Sequence, residues 1–427
     1  MKKILLLVFM ICQIGASQNY IEFHTGSTDD VITTPEPGIC LMGGASESDE
    51  AMVWFLDKAN GGDVLVLRAS GSDGYNDYFY SELGVSINSV TTFVINNSAG
   101  AIDPYVLERV NEAEAIWFAG GNQYNYVSYF KDNAMETALN TFINVKRGVI
   151  GGTSAGMAIL GSSYFDAENG TVTNAQALSN PYHNRMSLGY NDFLEIPFLE
   201  NVITDTHYDD PDRRGRHTAF LARFAKDNNL RPFGIACNEY TAVCINSNGR
   251  AFVYGDYPNY EEHAFFIQSN CALEVYDPEN CTEGQPLDWS REEEAVKVYK
   301  VPGTTTGTNY FDLTDWKTGV GGTWQNWHVT NGVFDTGESQ DLNCDALGIE
   351  YIDPLNVLVY PNPFKDYLMI ASSLKNSMVT LYSITGKQIT LFTEPSNKID
   401  TTSLLPGIYL LKISTQNRSK IFKIVKE

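Results

Sequence analysis

The chain has 427 residues, of which 43% are hydrophobic, 12% aromatic and 19% charged. This is ordinary globular composition, which excludes a disordered or fibrous protein, and the length predicts two or three domains. Asp and Glu number 52 against 29 Lys and Arg, for a formal net charge of −23. Such an acidic surface repels phosphate backbones and anionic lipids. We therefore expect no nucleic-acid partner.

The N-terminus has the pattern of a secretory signal peptide at residues 1–17. Lys2 and Lys3 precede an apolar run, and small residues follow it at Gly15-Ala16-Ser17. The run is too short to cross a bilayer, and no later stretch reaches the ~18 consecutive apolar residues of a transmembrane helix. We therefore expect an exported protein that passes through the periplasm and has no membrane span. Residues 18–37 are interpreted as an N-terminal segment.

Export makes disulfide bonds expected among the cysteines. Cys271 and Cys281 flank a polar loop and are the predicted disulfide pair. Cys40 and Cys237 lie in apolar runs and are predicted to be buried free thiols. No pair shows the Cys-x-x-Cys spacing of a zinc site, and we expect neither a metal nor another cofactor.

From residue 38 to about 270, short apolar runs alternate with amphipathic segments. This alternation predicts a doubly wound parallel sheet with helices on both faces, an α/β fold. The ligand crevice of such a sheet lies beyond the carboxyl ends of its strands. The loops after Met42, Ala119 and Ile150 are therefore where a functional site is expected. The predicted strands are 38–44, 63–68, 90–95, 115–121 and 148–151, with helices over 48–60, 77–83 and 134–145 and one that starts at Pro104.

The loop after Ile150 contains a G-x-S-x-G motif from Gly152 to Gly156. Its glycines permit a tight turn between a strand and a helix, which would expose the hydroxyl of Ser154 at the head of that helix. The Ala155 amide would then lie close enough to stabilise an oxyanion. The alternative is a small-residue turn that serves packing alone.

A nucleophilic serine needs a base and an acid that orients the base. His207 follows an apolar run that turns polar, so it is placed at the carboxyl end of a strand. His217 lies in an Arg-rich helical segment and is expected at the surface. For the acid, Glu239 lies at another strand end, while Asp166 and Glu168 follow the helix after Ser154.

Several ordered motifs, which together span residues 38–270, resemble the family of the cyanophycinases. That family is grouped with dipeptidase E among serine peptidases built on a class I glutamine-amidotransferase-like α/β fold. The resemblance implies that Ser154 is the nucleophile, His207 the base and Glu239 the acid. The motifs that carry it are Ala119–Gln123, Gly151–Gly156, Asp205–His207, Arg213–Arg216 and Gly234–Ala242.

The same resemblance implies an oxyanion hole and a substrate pocket. The oxyanion hole would be formed by Gly120, Gly121 and Ala155. The chain departs from the family at two positions, with Asn122 and Asn238 where aspartates are usual. Arg213 and Arg216 would bind substrate carboxylates; alternatively they pair with the acidic cluster Asp209, Asp210 and Asp212, which is otherwise interpreted as a solvated loop. The substrate contacts implied are Asn122, Gln123, Asp205, Arg213 and Arg216.

The C-terminal end differs from the body in charge and pattern, with nine basic and five acidic residues over 352–427. The catalytic domain is expected to extend to residue 316, followed by a loop-rich linker over 317–352. Residues 353–427 predict a small antiparallel β-sandwich. The motifs Tyr360–Phe364 and Leu405–Tyr409 resemble the C-terminal sorting domain of the type IX secretion system, which implies contact with the secretion machinery. The alternative is a carbohydrate-binding sandwich.

Taken together, these features predict a secreted or cell-surface serine peptidase. Its expected substrate is cyanophycin, an arginyl-polyaspartate, or a related Asp-containing peptide, cleaved through an acyl-enzyme. One alternative is an exopeptidase like dipeptidase E that cleaves Asp-X dipeptides, and another is a surface binding protein without turnover. The choice between Glu239 and Glu168 and the oligomeric state, with a homodimer among the alternatives, stay open.

Overall fold

The structure is a computed structural model that describes residues 19–339, 358–371, 378–383, 387–392, 398–414 and 419–426. The expected signal peptide at residues 1–17 lies outside these ranges. The chain divides into two compact units, Met1–Asn343 and Cys344–Glu427. Within the described ranges, no helix combines the length and apolar character needed to cross a membrane.

The first unit contains two sheets and eight α-helices among its described residues. The strands of the first sheet are β1 (Tyr20–Gly26), β2 (Gly38–Met42), β3 (Asp63–Arg68), β4 (Ser89–Ile95), β5 (Ala115–Phe118), β6 (Val149–Thr153), β11 (Ala242–Asn246), β12 (Arg250–Tyr254), β15 (Asn309–Asp312) and β16 (Gly319–Val320). Those of the second sheet are β7 (Ser163–Phe165), β8 (Leu188–Tyr190), β9 (Val202–Asp205), β10 (Phe233–Cys237), β13 (His263–Ser269), β14 (Val296–Pro302), β17 (Thr323–Thr330) and β18 (Val333–Glu338). The helices are α1 (Asp49–Asp57), α2 (Ser98–Ala101), α3 (Pro104–Glu112), α4 (Gln123–Phe130), α5 (Ala134–Thr141), α6 (Ala155–Ala158), α7 (Asn174–Ser179) and α8 (Arg214–Asn228), with further helical turns at Tyr78–Glu82 and Phe142–Lys146.

Local sequence explains where several of these elements begin and end. The Ser48 side chain accepts a hydrogen bond from the backbone of Ala51 and caps α1. Asp103 caps α3, whose first residue is Pro104, a position where proline's missing N–H costs nothing. In β3 the continuous apolar run from Val64 to Leu67 is buried, as expected for a strand covered on both faces.

The parallel strands confirm the α/β class, but they are divided between two mixed sheets. In the first sheet β4, β3, β5, β6 and β2 run parallel in that order. In the second, β7, β9 and β10 run parallel. After β10 the chain crosses to the first sheet, where β11 pairs antiparallel with β2. The ends of β6, β9 and β10 therefore meet where the two sheets approach each other.

Part of the expected linker and the N-terminal segment belong to these sheets. β17 and β18 extend the second sheet, so residues 323–338 are not a loop as expected. The reason is that apolar and polar residues alternate from Trp327 to Thr330 in β17, and Trp327 is fully buried in the core. β1 likewise pairs antiparallel with β4 at the edge of the first sheet. Residues 340–352 of the predicted linker lie outside the described ranges.

The predicted pairing of Cys271 with Cys281 is wrong. Cys271 is disulfide-bonded, whereas Cys281 is a free thiol. The Cys281 side chain is buried in the apolar core of the second sheet with Leu287 and Trp289. It therefore packs among apolar side chains and is not bonded to Cys271. The predicted burial of Cys40 and Cys237 is confirmed, and in this structure neither of their sulfurs is bonded to another cysteine.

The second unit is built from two antiparallel sheets. Apolar side chains buried in this unit, from strands of both sheets, form one core that includes Leu368, Ile370, Leu381 and Leu411. The strands are β19 (Leu358–Tyr360), β20 (Tyr367–Ala371), β21 (Met378–Ser383), β22 (Gln388–Phe392), β23 (Lys398–Asp400), β24 (Gly407–Ser414) and β25 (Ser419–Lys426). One sheet has the order β19-β20-β23 and the other the order β22-β21-β24-β25.

His217 was expected at the surface, but it is fully buried. Its helix, α8, packs into the core of the second sheet, and Nδ1 of His217 lies 3.2 Å from the hydroxyl oxygen of Tyr208. A side chain on Gly234 would collide with the imidazole, so the ring fills the space that this glycine leaves. Burial lowers the pKa of His217 to about 4, since the charged ring would lose its hydration.

We therefore expect the free energy of unfolding to decrease as the pH falls from about 6.5 to about 4. In this window the unfolded chain binds a proton at His217 that the folded chain does not bind, so acid favours unfolding. The free energy of unfolding should decrease by about 3 kcal/mol over this pH range. Urea unfolding of the wild type and of His217→Gln at pH 7 and pH 4.5 measures it. Equal pH dependence in the two proteins would contradict this account.

Candidate active site

Ser154 lies at the sharp turn between β6 and α6. Its backbone has φ 52° and ψ −118°, a strained conformation typical of an exposed nucleophile at such a turn. The Ser154 N–H donates to the carbonyl oxygen of Met42 at 3.1 Å, which ties the turn to β2. A Cβ on Gly152 would lie 2.7 Å from the backbone of Gly156, so the flanking glycines are required for the turn to close.

His207 follows β9 and faces Ser154. Its Nε2 atom lies 2.8 Å from Ser154 Oγ, a normal hydrogen-bond distance. The backbone N–H of His207 donates to the carbonyl oxygen of Gly43 at 2.8 Å. Strands from both sheets thus fix the distance between the hydroxyl and the imidazole.

Glu239 completes a chain of hydrogen bonds. Its Oε1 atom lies 2.5 Å from His207 Nδ1, and its own backbone N–H donates to Asp209 Oδ1 at 2.9 Å. The two alternative acids have other partners. Glu168 accepts from the Tyr124 hydroxyl at 3.2 Å, and Asp166 accepts from the Ser187 hydroxyl at 3.0 Å. The geometry therefore favours Glu239 over both as the group that orients the imidazole.

The loop after β2 packs against this hydrogen-bond chain, a contact that the sequence did not predict. A Cβ on Gly44 would lie 2.5 Å from the Cε1 and Nε2 atoms of His207, so the bare backbone of Gly44 packs against the imidazole. Gly44 has φ 114°, which also favours glycine. The only hint in the sequence is the pair of glycines, Gly43 and Gly44, that follows β2. Nothing in their spacing indicates contact with a residue more than 160 positions later.

A cavity of about 430 Å³ opens in front of Ser154, within the range of small-molecule sites. Gly121 and Ala155 line it, and Gly120 lies beside Ser154, since a Cβ there would be 3.5 Å from the serine Cβ. Ala155 is the first residue of α6, so its N–H has no acceptor within the helix. The predicted oxyanion-hole residues thus lie next to Ser154 or line the cavity in front of it.

Asp205 and Arg216 form a buried ion pair on the cavity wall. Arg216 donates from Nε to Oδ2 at 2.9 Å and from Nη2 to Oδ1 at 2.6 Å, and both side chains are 4% exposed. Burial opposes ionisation of Asp205, but the attraction and hydrogen bonds of Arg216 outweigh it and hold the pKa of this carboxyl below its usual value. Arg216 also donates to Thr171 Oγ1 at 3.0 Å, so its guanidinium is largely used within the protein.

Arg213 is the neighbouring cation and has a different environment. Its Nη1 donates to the carbonyl oxygen of Thr206 at 3.0 Å, and the side chain lines the same cavity. Among the described residues no carboxylate lies within ion-pair distance of it. Burial and the nearby positive charge of Arg216 lower its pKa. Arg213 therefore presents a positive charge that is available to a ligand.

The alternative pairing of these arginines with the acidic cluster is wrong, and the cluster is more than a solvated loop. Asp212 receives two hydrogen bonds from the side chain of Arg214, at 2.9 and 3.0 Å. Asp209 accepts the backbone N–H of Glu239, as described above. In the described part of the chain, no three His, Cys, Asp or Glu side chains are arranged to hold a metal ion.

The remaining two predicted substrate residues lie at the mouth of the cavity. Asn122 is exposed, and its side chain accepts from the backbone of Tyr124 at 3.0 Å, which caps α4. An asparagine fills this capping role as well as an aspartate does. Gln123 is half-buried and donates from Nε2 to the carbonyl oxygen of Phe165 at 3.4 Å.

Comparison with protein families identifies the tail. Residues 358–427 match the family described as "Secretion system C-terminal sorting domain". This agrees with the prediction from the motifs at Tyr360–Phe364 and Leu405–Tyr409. The domain indicates that the protein is secreted or located at the cell surface, and it implies an interaction with the secretion machinery.

Among characterised proteins, the chain is similar to cyanophycinases from Synechococcus elongatus and Thermosynechococcus vestitus. Each is 23% identical over 230 residues, which cover 51% of this chain and 65% of the relative. The chain thus spans slightly less than two thirds of the length of these relatives.

Two solved structures are also similar. A peptidase from an acI-B1 Actinobacterium has a TM-score of 0.39 at 15% identity, covering 54% of this chain and 94% of that chain. A putative peptidase E protein from Listeria monocytogenes has a TM-score of 0.33 at 12% identity, covering 51% and 98%. The chain is thus distantly similar to cyanophycinases over about half of its length, and it carries a C-terminal secretion-system sorting domain.

Proposed function

We propose that the protein is a secreted serine-type peptidase in which Ser154 is the nucleophile, His207 the general base and Glu239 the orienting acid. The observation that carries this proposal is the continuous chain of hydrogen-bond distances, 2.8 Å from Ser154 Oγ to His207 Nε2 and 2.5 Å from Nδ1 to Glu239 Oε1. A binding protein would have no need of a nucleophile, a base and an acid in this arrangement.

The arrangement supports acyl transfer in two steps. With the Nδ1 proton donated to Glu239, Nε2 accepts the proton of Ser154 as its Oγ attacks the substrate carbonyl carbon. Backbone N–H groups of Gly120, Gly121 and Ala155 would stabilise the oxyanion. The imidazolium then protonates the leaving amine, and an ester to Ser154 remains. Water, deprotonated by His207, hydrolyses that ester and restores the free hydroxyl. The chemistry needs no cofactor.

The charges around the cavity support a substrate that carries groups of both signs. Arg213 offers a guanidinium to a carboxylate, and Glu168 on the same cavity wall offers a carboxylate to a cation. Cyanophycin has a backbone of aspartates with arginines attached, so both groups recur next to every cleavable bond. We therefore propose cyanophycin or a related Asp-containing peptide as the substrate, in keeping with the name of the curated relatives.

Two segments of the sequence support the proposed location. Residues 1–17 are proposed as the signal peptide for entry into the periplasm, and residues 353–427 as the part that the type IX secretion machinery recognises.

Incubation of the purified protein with cyanophycin, followed by mass analysis of the products, tests the function. Release of the β-Asp-Arg dipeptide is expected, and the Ser154→Ala variant serves as the negative control. Inertness towards cyanophycin with cleavage of Asp-X dipeptides would replace this substrate by that of a dipeptidase-E-like exopeptidase. Inertness towards both would favour a surface binding protein.

Replacing Arg213 by methionine is expected to raise KM for the acidic substrate by about 10- to 100-fold, because one charge-assisted contact is lost. Steady-state kinetics measures the change. Arg214→Met is the matched control, since Arg214 pairs with Asp212 and does not line this cavity. Equal effects of the two substitutions would contradict the role of Arg213.

A further inference from the structure

Two buried thiols face each other across the ladder that joins β2 to β11. Cys40 and Cys244 are direct partners in the antiparallel register, and their Sγ atoms lie 3.8 Å apart. Both side chains are fully buried, in the apolar core that also contains Met42, Phe55 and Ala242. Neither thiol takes part in the chemistry proposed above.

The register places these cysteines at a position suited to a covalent bond. The N–H of Gly43 donates to the carbonyl oxygen of Thr241, which marks a hydrogen-bonded pair one step beyond the Met42–Ala242 pair. Hydrogen-bonded and non-hydrogen-bonded pairs alternate along an antiparallel ladder. Counted back along β2 from the Gly43–Thr241 pair, the Cys40–Cys244 pair is the third, so it is a non-hydrogen-bonded pair. The Cα atoms of such pairs are about 4.5 Å apart, within the range that a disulfide spans. The backbone spacing therefore suits a disulfide, and the sulfurs have to approach from their present 3.8 Å to form it.

We propose that Cys40 and Cys244 form a disulfide in the exported protein. The two thiols together lose two protons and two electrons as the S–S bond forms. A disulfide of an oxidoreductase in the exporting compartment accepts them by thiol–disulfide exchange and becomes a dithiol. Because both thiols are inaccessible in the folded protein, the exchange takes place while the chain folds after export.

A third buried thiol, Cys237, lies nearby on β10 of the second sheet. Its Sγ lies 3.7 Å from the carbonyl oxygen of Leu41, and burial raises the pKa of this thiol strongly. Cys237 belongs to a different ladder, in which its register partner is Ala264. It is therefore the matched control, equally buried but without a cysteine opposite.

The proposed bond would hold together the strands that support the candidate site. Met42, at the end of β2, accepts the N–H of Ser154, and Gly43 accepts the N–H of His207. Glu239 lies three residues before the start of β11. The bond would join residues 204 positions apart, so it restricts the unfolded chain strongly. We expect it to raise Tm by about 5–10 °C and to leave kcat nearly unchanged.

Peptide mapping of the full-length protein isolated after export tests the proposal. The protein is denatured without reductant, alkylated and digested, and its peptides are identified by mass spectrometry. We expect the Cys40 and Cys244 peptides to be linked and Cys237 and Cys281 to be alkylated. Alkylation of Cys40 and Cys244, or a bond from either to Cys237, would overturn the proposal.

A second measurement compares how much reduction lowers Tm in Cys244→Ala and in Cys237→Ala. Because Cys271 also forms a disulfide, reduction affects both variants, and the difference between them reports the proposed bond. Cys237→Ala should show the larger decrease, by about 5–10 °C. Equal decreases would contradict the proposal. If Cys244→Ala does not fold, the peptide map of the wild type decides alone.

Discussion

Replacing Ser154 by alanine is expected to reduce kcat for peptide hydrolysis by about 10⁴- to 10⁶-fold, because the atom that forms the acyl-enzyme is removed. The side chain is partly exposed at the cavity, so its loss leaves no gap in the core. The variant should therefore keep the wild-type Tm and far-UV circular dichroism. Release of dipeptide, measured by mass spectrometry over hours, gives the rate.

Ser162→Ala provides the matched control for this substitution. Ser162 is buried close by in the sequence, and its hydroxyl accepts the backbone N–H of Asn201 rather than facing the cavity. It should lose some stability and keep its activity. A Ser154→Ala protein with wild-type turnover would contradict the assignment of the nucleophile.

The second large effect is expected from Glu239→Gln, with a decrease in kcat of up to about 10⁴-fold. The amide can donate to Nδ1 of His207, which would leave the proton on Nε2 and prevent that atom from accepting the serine proton. The substitution preserves shape and leaves the backbone hydrogen bond to Asp209 intact, so the protein should fold.

Glu168→Gln is the matched comparison, because Glu168 contacts Tyr124 and not the imidazole. Its kcat should stay close to wild type, while KM for a cationic substrate rises if Glu168 binds the substrate as proposed. Steady-state kinetics of both variants separates the two roles. The reverse ranking of kcat would assign the orienting acid to Glu168.

The residues that the structure brings together at the candidate site could be chosen from the sequence because they follow local rules. The motif around Ser154 needs glycines for steric reasons, and the ends of parallel strands meet at one edge of a sheet. Strand-end positions and the family resemblance therefore both point to His207 and Glu239.

The features that the sequence did not predict depend on long-range packing. The apolar runs at β9 and β10 look like those of the first sheet, and only the crossing into β11 shows that they belong to a second one. His217 lies among arginines, yet the packing of α8 into the core buries it. Likewise, the fold places Asp205 next to Arg216, and their ion pair leaves Arg213 as the arginine available to a ligand. The sequence alone does not show which of the two arginines pairs with Asp205.

Covalent labelling tests most directly whether Ser154 is an activated nucleophile. The full-length protein is treated with a fluorophosphonate, a probe that reacts with activated serines, and the modified residue is located by peptide mass spectrometry. We predict one adduct, on Ser154, which is absent from His207→Ala. An unmodified Ser154 under conditions that label a known serine peptidase would contradict the account.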